Sequence, residues 1–202
     1  LTGLEFASGI PGSLGGAIYM NAGAYDGEMK DVIDEVSFID EDGTVKTISK
    51  EDCEFGYRKS IFADSTKIIL SAKLTLKRGK KEEISEKMRD LNARRKEKQP
   101  LEYPSAGSTF RRPEGHFAGT LIEEAGLKGK MCGGAQVSEK HAGFIVNKEN
   151  ASAEDVLELM VKMHNAVKEK FTIELTPEII FIGDKTKKEE ELCKILYQKK
   201  QK

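Results

Sequence analysis

Four glycines fall within eight positions near the start of the chain, in Gly9-Ile10-Pro11-Gly12-Ser13-Leu14-Gly15-Gly16-Ala17. So little side-chain bulk lets backbone N–H groups approach an anion and gives the backbone conformations closed to other residues. A phosphate-bearing ligand is one reading and a structural turn the other, and glycine count alone leaves both open. Two familiar phosphate loops do not match. A Walker A loop ends in Gly-Lys-Ser/Thr, and the Rossmann fingerprint spaces its glycines differently within a βαβ unit.

At 202 residues the chain can hold one large domain or two small ones, each with a working core. Its 33 basic and 34 acidic residues nearly cancel, so no nucleic-acid partner is expected. The apolar runs Ile68–Leu70 and Ile179–Ile182 are far too short to cross a bilayer and no signal-peptide pattern opens the chain, so a cytoplasmic protein without a membrane partner is expected. Cys53, Cys132 and Cys193 form no Cys-x-x-Cys, and His116, His141 and His164 lack ligand spacing. Neither a disulfide framework nor a metal is expected. The chain opens on Leu1 rather than Met and enters the glycine-rich motif within eight residues, as a sequence that has been cut into would.

Residues 1–80 read as strands and tight turns. Val36–Ile39 and Thr44–Ile48 alternate around Glu41-Asp42-Gly43, a hairpin signal, and Lys67–Leu76 is a further β-rich run. From Glu82 to Gln99 the pattern is helical, with Ile84, Met88 and Leu91 on one face, until Pro100 ends it; this helix opens a second domain over 81–183. A short helix around Leu121–Ala125 stops at Gly126, and Gly143–Val146 is a short strand. Ser152 and Asp155 form a capping-box start for a longer helix that turns Val156, Leu159, Met160, Met163 and Val167 inward. Thr172–Ile182 condenses into Ile179-Ile180-Phe181-Ile182, read as a central strand. Residues 184–202 are dominated by Lys and Glu and read as a solvated extension, with Thr186 and Glu189 able to cap a last helix that docks through Leu192, Ile195 and Leu196.

Three further segments carry chemistry. In Phe55-Gly56-Tyr57-Arg58-Lys59-Ser60-Ile61-Phe62 the centre is Arg58, whose permanently charged guanidinium can grip a carboxylate through two parallel hydrogen bonds. In Pro104-Ser105-Ala106-Gly107-Ser108-Thr109-Phe110-Arg111-Arg112-Pro113, small residues around Ser108 allow close approach and the arginines can meet a phosphate, although Ser, Gly and Pro also dominate ordinary loops. No Gly-x-Ser-x-Gly elbow is present, so a serine hydrolase is not indicated. In Leu175-Thr176-Pro177-Glu178 a carboxylate enters the most apolar run of the chain, where burial requires a partner or a raised pKa.

Taken together, Gly9–Ala17 with its continuation to Tyr25, Tyr57-Arg58-Lys59-Ser60, Ala106-Gly107-Ser108 and Pro177-Glu178 resemble the UDP-N-acetylenolpyruvoylglucosamine reductase family. The segments Gly126–Gly129, Gly133–Ser138 and His141–Asn147 are also similar to it, so the resemblance runs from about Leu4 to Gly183. It implies an α+β fold: the C-terminal part of a vanillyl-alcohol-oxidase-type FAD-binding domain over 1–80, then an α+β substrate-binding domain. It also implies an enzyme that uses NADPH and FAD to reduce UDP-N-acetylglucosamine enolpyruvate to UDP-N-acetylmuramate, a cytoplasmic step of bacterial peptidoglycan synthesis.

The residue roles follow from the same resemblance. Gly9, Ile10, Pro11, Gly12, Ser13, Gly15, Gly16, Asn21, Ala22 and Gly23 match the segment that lies along the FAD. Arg58 matches the arginine that holds the substrate carboxylate as negative charge develops, Glu178 the glutamate that assists it, and Ser108 the serine that donates the completing proton. Tyr25, Arg112 and His141 fall where family members contact the UDP-sugar. Two domains contribute because flavin and substrate must be held within about 3–3.5 Å for transfer. Family members carry a preceding small domain and the first half of the flavin domain, neither of which is in this sequence, and the short span from Phe62 to Glu82 matches the compact class of the family. A flavin-free UDP-sugar-binding fragment is the alternative.

Overall fold

The computed structural model describes residues 1–63 and 65–197, which form two compact units, Leu1–Arg95 and Lys96–Lys202. In the first, a short helix α1 (Leu14–Tyr19) leads into a two-residue-strand hairpin, β1 (Gly23–Ala24) and β2 (Gly27–Glu28). There follow β3 (Ile33–Ile39), β4 (Val45–Ser49), β5 (Ile68–Leu74) and a long helix α2 (Lys81–Lys98). The sheet order is β4-β3-β5, antiparallel throughout. The β3–β4 hairpin closes where the sequence signals it: Gly43 has φ +80, and Asp40 and Thr44 pair at 2.9 Å. Alternation along β3 buries Val36 and Phe38 with Ile18, Met29 and Phe62, and the Phe38 and Phe62 rings meet edge to face at 5.3 Å.

The units divide at Arg95, not at residue 80, because α2 is fastened into the first unit. Leu91 is buried, Asn92 Nδ2 donates to Ser8 Oγ at 2.9 Å, and Arg95 Nη2 donates to the Ser8 carbonyl at 3.3 Å. Of the apolar stripe read from sequence, only Leu91 is buried, and Met88 lies exposed.

The second unit contains β6 (Ser105–Ser108), α3 (Ala118–Glu124), β7 (Met131–Cys132), β8 (Ala135–Val137), β9 (Phe144–Asn147), α4 (Ala153–Phe171) and α5 (Lys187–Leu196). Its antiparallel sheet has the order β6-β9-β8-β7. Helix α3 ends before Gly126, at φ +75. Helix α4 starts at the Ser152–Asp155 capping box and buries Leu159, Met160, Met163 and Val167 with Ile122, Val137 and Ile145.

Two readings of the C-terminal region are corrected. Ile179–Ile182 is not a strand: Ile180 is 69% and Ile182 90% exposed, and the isolated bridge of Phe110 to Pro177 falls before the run. The Ile179 carbonyl, which a ladder would use, accepts instead from Tyr197 Oη at 2.9 Å, while Ile179 and Phe181 pack on the core. Nor are residues 187–196 a solvated appendage. Thr186 and Glu189 form the capping box of α5, and Leu196, Leu192 and Cys193 pack into the core cluster, while Ile195 stays exposed. Lys188 pairs with Glu154 at 2.6 Å and with Glu158, tying α5 to α4. The extension beyond Tyr197 lies outside the described residues.

Candidate functional site

In the first unit the glycine-rich segment is an exposed loop that runs into α1. Gly9 and Gly12 hold φ of +79 and +147, conformations that disfavour a side chain. Ser13 is the N-cap of α1, accepting from the Gly16 N–H at 3.1 Å, and so sets Gly15 and Gly16 in the first turn. A Cβ at Gly12 would meet nothing within 4 Å, whereas one at Gly9 would lie 2.6 Å from Asn92 Oδ1. Pro11, Gly12 and Ser13 are exposed and Ile10 half-buried. A bare backbone edge of this kind fits a phosphate-bearing cofactor.

The Arg58 turn is held directly against the continuation of that segment. Ser60 Oγ donates to the Tyr19 carbonyl at 2.7 Å, Asn21 Nδ2 donates to the Gly56 carbonyl at 3.0 Å, and Arg58 Nη2 donates to the Gly23 carbonyl at 3.1 Å. Arg58 itself has φ +52 and lies over the Tyr57 ring at 5.0 Å. Residues some 35 to 41 positions apart in sequence are thereby brought together.

Asn21 explains why the turn holds. It is fully buried at φ +42, a conformation Asn tolerates better than most residues, and its amide also donates to Glu28 at 3.1 Å and accepts from the Lys30 N–H at 3.0 Å. Its side chain is committed to the fold, and so is the adjoining backbone: the Asn21 and Ala22 N–H groups donate to the Ile18 and Ala17 carbonyls at 3.1 and 2.7 Å, and the Ala22 carbonyl accepts from the Met29 N–H at 3.0 Å. Tyr25 and Asp26 form the two-residue β1–β2 turn, both at positive φ, and the exposed Tyr25 ring carries Arg95 at 5.5 Å.

In the second unit Ser108 ends β6 opposite Phe144, after a register shift between Ser105 and Ser108 and with Gly107 at φ +84. A bulge of this kind re-aims a side chain, and Ser108 is exposed. The strand continues irregularly. Thr109 donates its N–H to the Gly143 carbonyl, Glu178 donates its own to the Thr109 carbonyl, both at 2.9 Å, and Arg111 donates to Thr176 at 2.8 Å. Ser108 and Glu178 therefore stand on adjacent, hydrogen-bonded segments. Glu178 is half-buried.

His141 and Arg112 flank α3. The Arg112 guanidinium lies 3.9 Å from the Phe117 ring centroid. His141 Nδ1 accepts the Gly143 N–H at 3.0 Å and its ring packs edge to face on Phe144 at 5.0 Å, so the neutral ring carries its proton on Nε2. Burial pushes this imidazole below its usual pKa, with Glu123 and Lys128 acting weakly in opposite directions. His141 is thus a neutral Nε2–H donor near pH 7.

All three thiols are shifted upward. Burial raises Cys53 to about 11 and also raises Cys193, while the hydrogen bond to Glu158 raises Cys132. None is activated as a nucleophile. Among the described residues no group of three or more His, Cys, Asp or Glu side chains could hold a metal, and no helix is long and apolar enough to cross a membrane.

Residues 1–49 match a family model described as an FAD binding domain, and residues 99–182 match one described as the UDP-N-acetylenolpyruvoylglucosamine reductase C-terminal domain. The chain is 58% identical to the UDP-N-acetylenolpyruvoylglucosamine reductase of Caldanaerobacter subterraneus subsp. tengcongensis, over 92% of this chain and 61% of that protein. It is 53% identical to the reductase of the same name from Lachnoclostridium phytofermentans, over 92% and 60%. Among solved structures, UDP-N-acetylenolpyruvylglucosamine reductase (MurB) from Thermus caldophilus superposes with a TM-score of 0.75 at 42% identity, covering 86% of this chain and 62% of that one. The chain thus spans about three fifths of the length of the curated relatives it matches.

Fold and matches together define an α+β protein in which part of an FAD-binding domain precedes a separate C-terminal domain. The chain belongs to the UDP-N-acetylenolpyruvoylglucosamine reductase family.

Proposed function

We propose that this chain carries the ligand-binding and catalytic part of a flavin-dependent oxidoreductase that reduces UDP-N-acetylglucosamine enolpyruvate to UDP-N-acetylmuramate with NADPH, in the cytoplasm, for peptidoglycan synthesis. The observation that carries the reading is the bond from Arg58 to the Gly23 carbonyl. It fixes a permanent cation beside the backbone that the family places along the flavin.

FAD, when bound, supplies the hydride that it has taken from NADPH. The chain's own residues do the rest. The backbone of Gly9–Gly16 and Asn21–Gly23 would hold the cofactor, the exposed Gly12 and Ser13 offering a backbone edge that an anion can approach. Arg58 orients the substrate carboxylate and stabilises the negative charge that grows on it during reduction. Ser108 delivers the proton that completes the reduction, and Glu178, on the segment hydrogen-bonded beside it, assists. Tyr25, Arg112 and the Nε2–H of His141 contact the UDP-sugar. The domain assignment is proposed as a flavin part and a substrate part, with α5 counted in the latter.

The test is a fluorescence titration of the chain with FAD, repeated with saturating UDP-N-acetylglucosamine enolpyruvate. Quenching that saturates, with a substrate-induced change in the flavin spectrum, supports the reading. A chain that binds the substrate but leaves the flavin spectrum unaltered favours a flavin-free UDP-sugar-binding fragment.

A further inference from the structure

Arg95 has no role in the reading above, yet three observations single it out. Its Nη2 donates to the Ser8 carbonyl at 3.3 Å, at the entrance to the glycine-rich loop. Its guanidinium carbon lies 5.5 Å from the centroid of the Tyr25 ring. Its Nε is buried without a hydrogen-bond partner among the described residues, a cost that a core built for packing alone would avoid.

The backbone on both sides is shaped around this side chain. A Cβ at Gly9 would lie 2.6 Å from Asn92 Oδ1 and 3.3 Å from Arg95 Nε, so the loop's close approach to this face of α2 depends on a residue without a side chain. Gly9 stands at φ +79, and Asn92 Nδ2, one turn earlier on α2, adds a second bond to Ser8 at 2.9 Å. On the other side Tyr25 and Asp26 hold φ of +50 and +64, in a turn where Asn-Gly would be unstrained. Non-glycine residues kept in such conformations cluster at functional sites.

We infer that Arg95 is a positioning residue that ties the glycine-rich cofactor loop to the Tyr25 turn, so that one planar cation sets the geometry of both. Its carrier, α2, is a regular helix, which makes it a rigid post between two irregular segments. A lysine does not reproduce it, because one ammonium point charge cannot both donate to the Ser8 carbonyl and present a planar cation to the Tyr25 ring. The cofactor half of this inference rests on the proposed function, and the structural half does not.

Hydrogen exchange on the ligand-free chain tests the structural half in Arg95→Met and Arg95→Lys, the latter keeping the charge. Both are expected to speed exchange at residues 8–12 and 23–27 on the order of tenfold, with the rest of residues 1–95 changed much less. Unchanged exchange in both variants overturns the inference, and so does a uniform rise across residues 1–95, which would make Arg95 a packing residue only. In the FAD titration both variants are expected to weaken binding on the order of tenfold; variants that bind FAD like the parent overturn the cofactor half. Should the parent chain fail to take up FAD, the proposed function for this chain fails, and the exchange data still decide the role of Arg95.

Discussion

Glu178 donates its backbone N–H to the carbonyl oxygen of Thr109 at 2.9 Å. This bond makes Thr109 the hinge of the second unit's candidate site, because Ser108 precedes it in the chain and Glu178 hangs on it. Thr109 is buried, and its Oγ1 accepts the Ile145 N–H at 3.2 Å. Thr109→Val keeps the shape and strands that N–H, so it should cost about 1–3 kcal/mol in urea unfolding. A cost below about 0.5 kcal/mol would mean that water or relaxation satisfies Ile145.

Ser108→Ala separates chemistry from stability. Ser108 is exposed, so the unfolding midpoint should stay within about 0.5 kcal/mol of the parent. Product formation should fall about 10²–10⁴-fold, with NADPH still bleaching bound flavin at the parent rate. Undiminished product formation would remove Ser108 from the proton-donor role.

Asn21 should prove a fold residue. Asn21→Ala removes three hydrogen bonds, to Gly56, Glu28 and Lys30, from a fully buried position at positive φ. A loss of about 2–4 kcal/mol is expected in chemical unfolding. Since the Gly56 bond aligns the Arg58 turn, carboxylate binding should weaken with it. A variant of parental stability would contradict the accounting.

The pH dependence has a definite sign at His141. Burial lowers its folded pKa beneath the unfolded value of 6.5, so the unfolded chain binds the proton more readily. The stabilising contribution is complete above 6.5 and is lost as pH falls through the lower folded pKa. Stability should decline by about 1.4 kcal/mol for each pH unit separating the two values. His141→Asn, which retains an acceptor for Gly143, should flatten the decline just below pH 6.5 in thermal melts. Parallel curves for parent and variant would show that other groups set the slope.

What was legible in the sequence was local. The capping boxes at Ser152 and Thr186, the Gly43 turn and the α4 stripe each depend on residues a few positions apart, and each formed as read. The Ile179–Ile182 run was misread because a strand needs a partner, and the partner of the Ile179 carbonyl is a tyrosine hydroxyl 18 positions later. Charge misled in the reverse direction: it made the segment read as solvated, although Leu192 and Leu196 dock as their helical spacing signals and of that stripe only Ile195 stays exposed. The residues of the candidate site were legible as motifs, while their mutual support was not. Nothing local marks Asn21 as the clasp of the Arg58 turn, or Arg95 among the basic residues of α2 as a neighbour of Ser8 and Tyr25.

The most direct measurement is an anaerobic single turnover. The FAD-loaded chain is bleached with NADPH, freed of excess nucleotide and mixed with UDP-N-acetylglucosamine enolpyruvate. Return of the oxidised-flavin absorbance, with one equivalent of UDP-N-acetylmuramate formed, is the result expected of a chain that carries Arg58, Ser108 and Glu178 in working order. Flavin that stays reduced in the presence of bound substrate would contradict the proposed reaction for this chain.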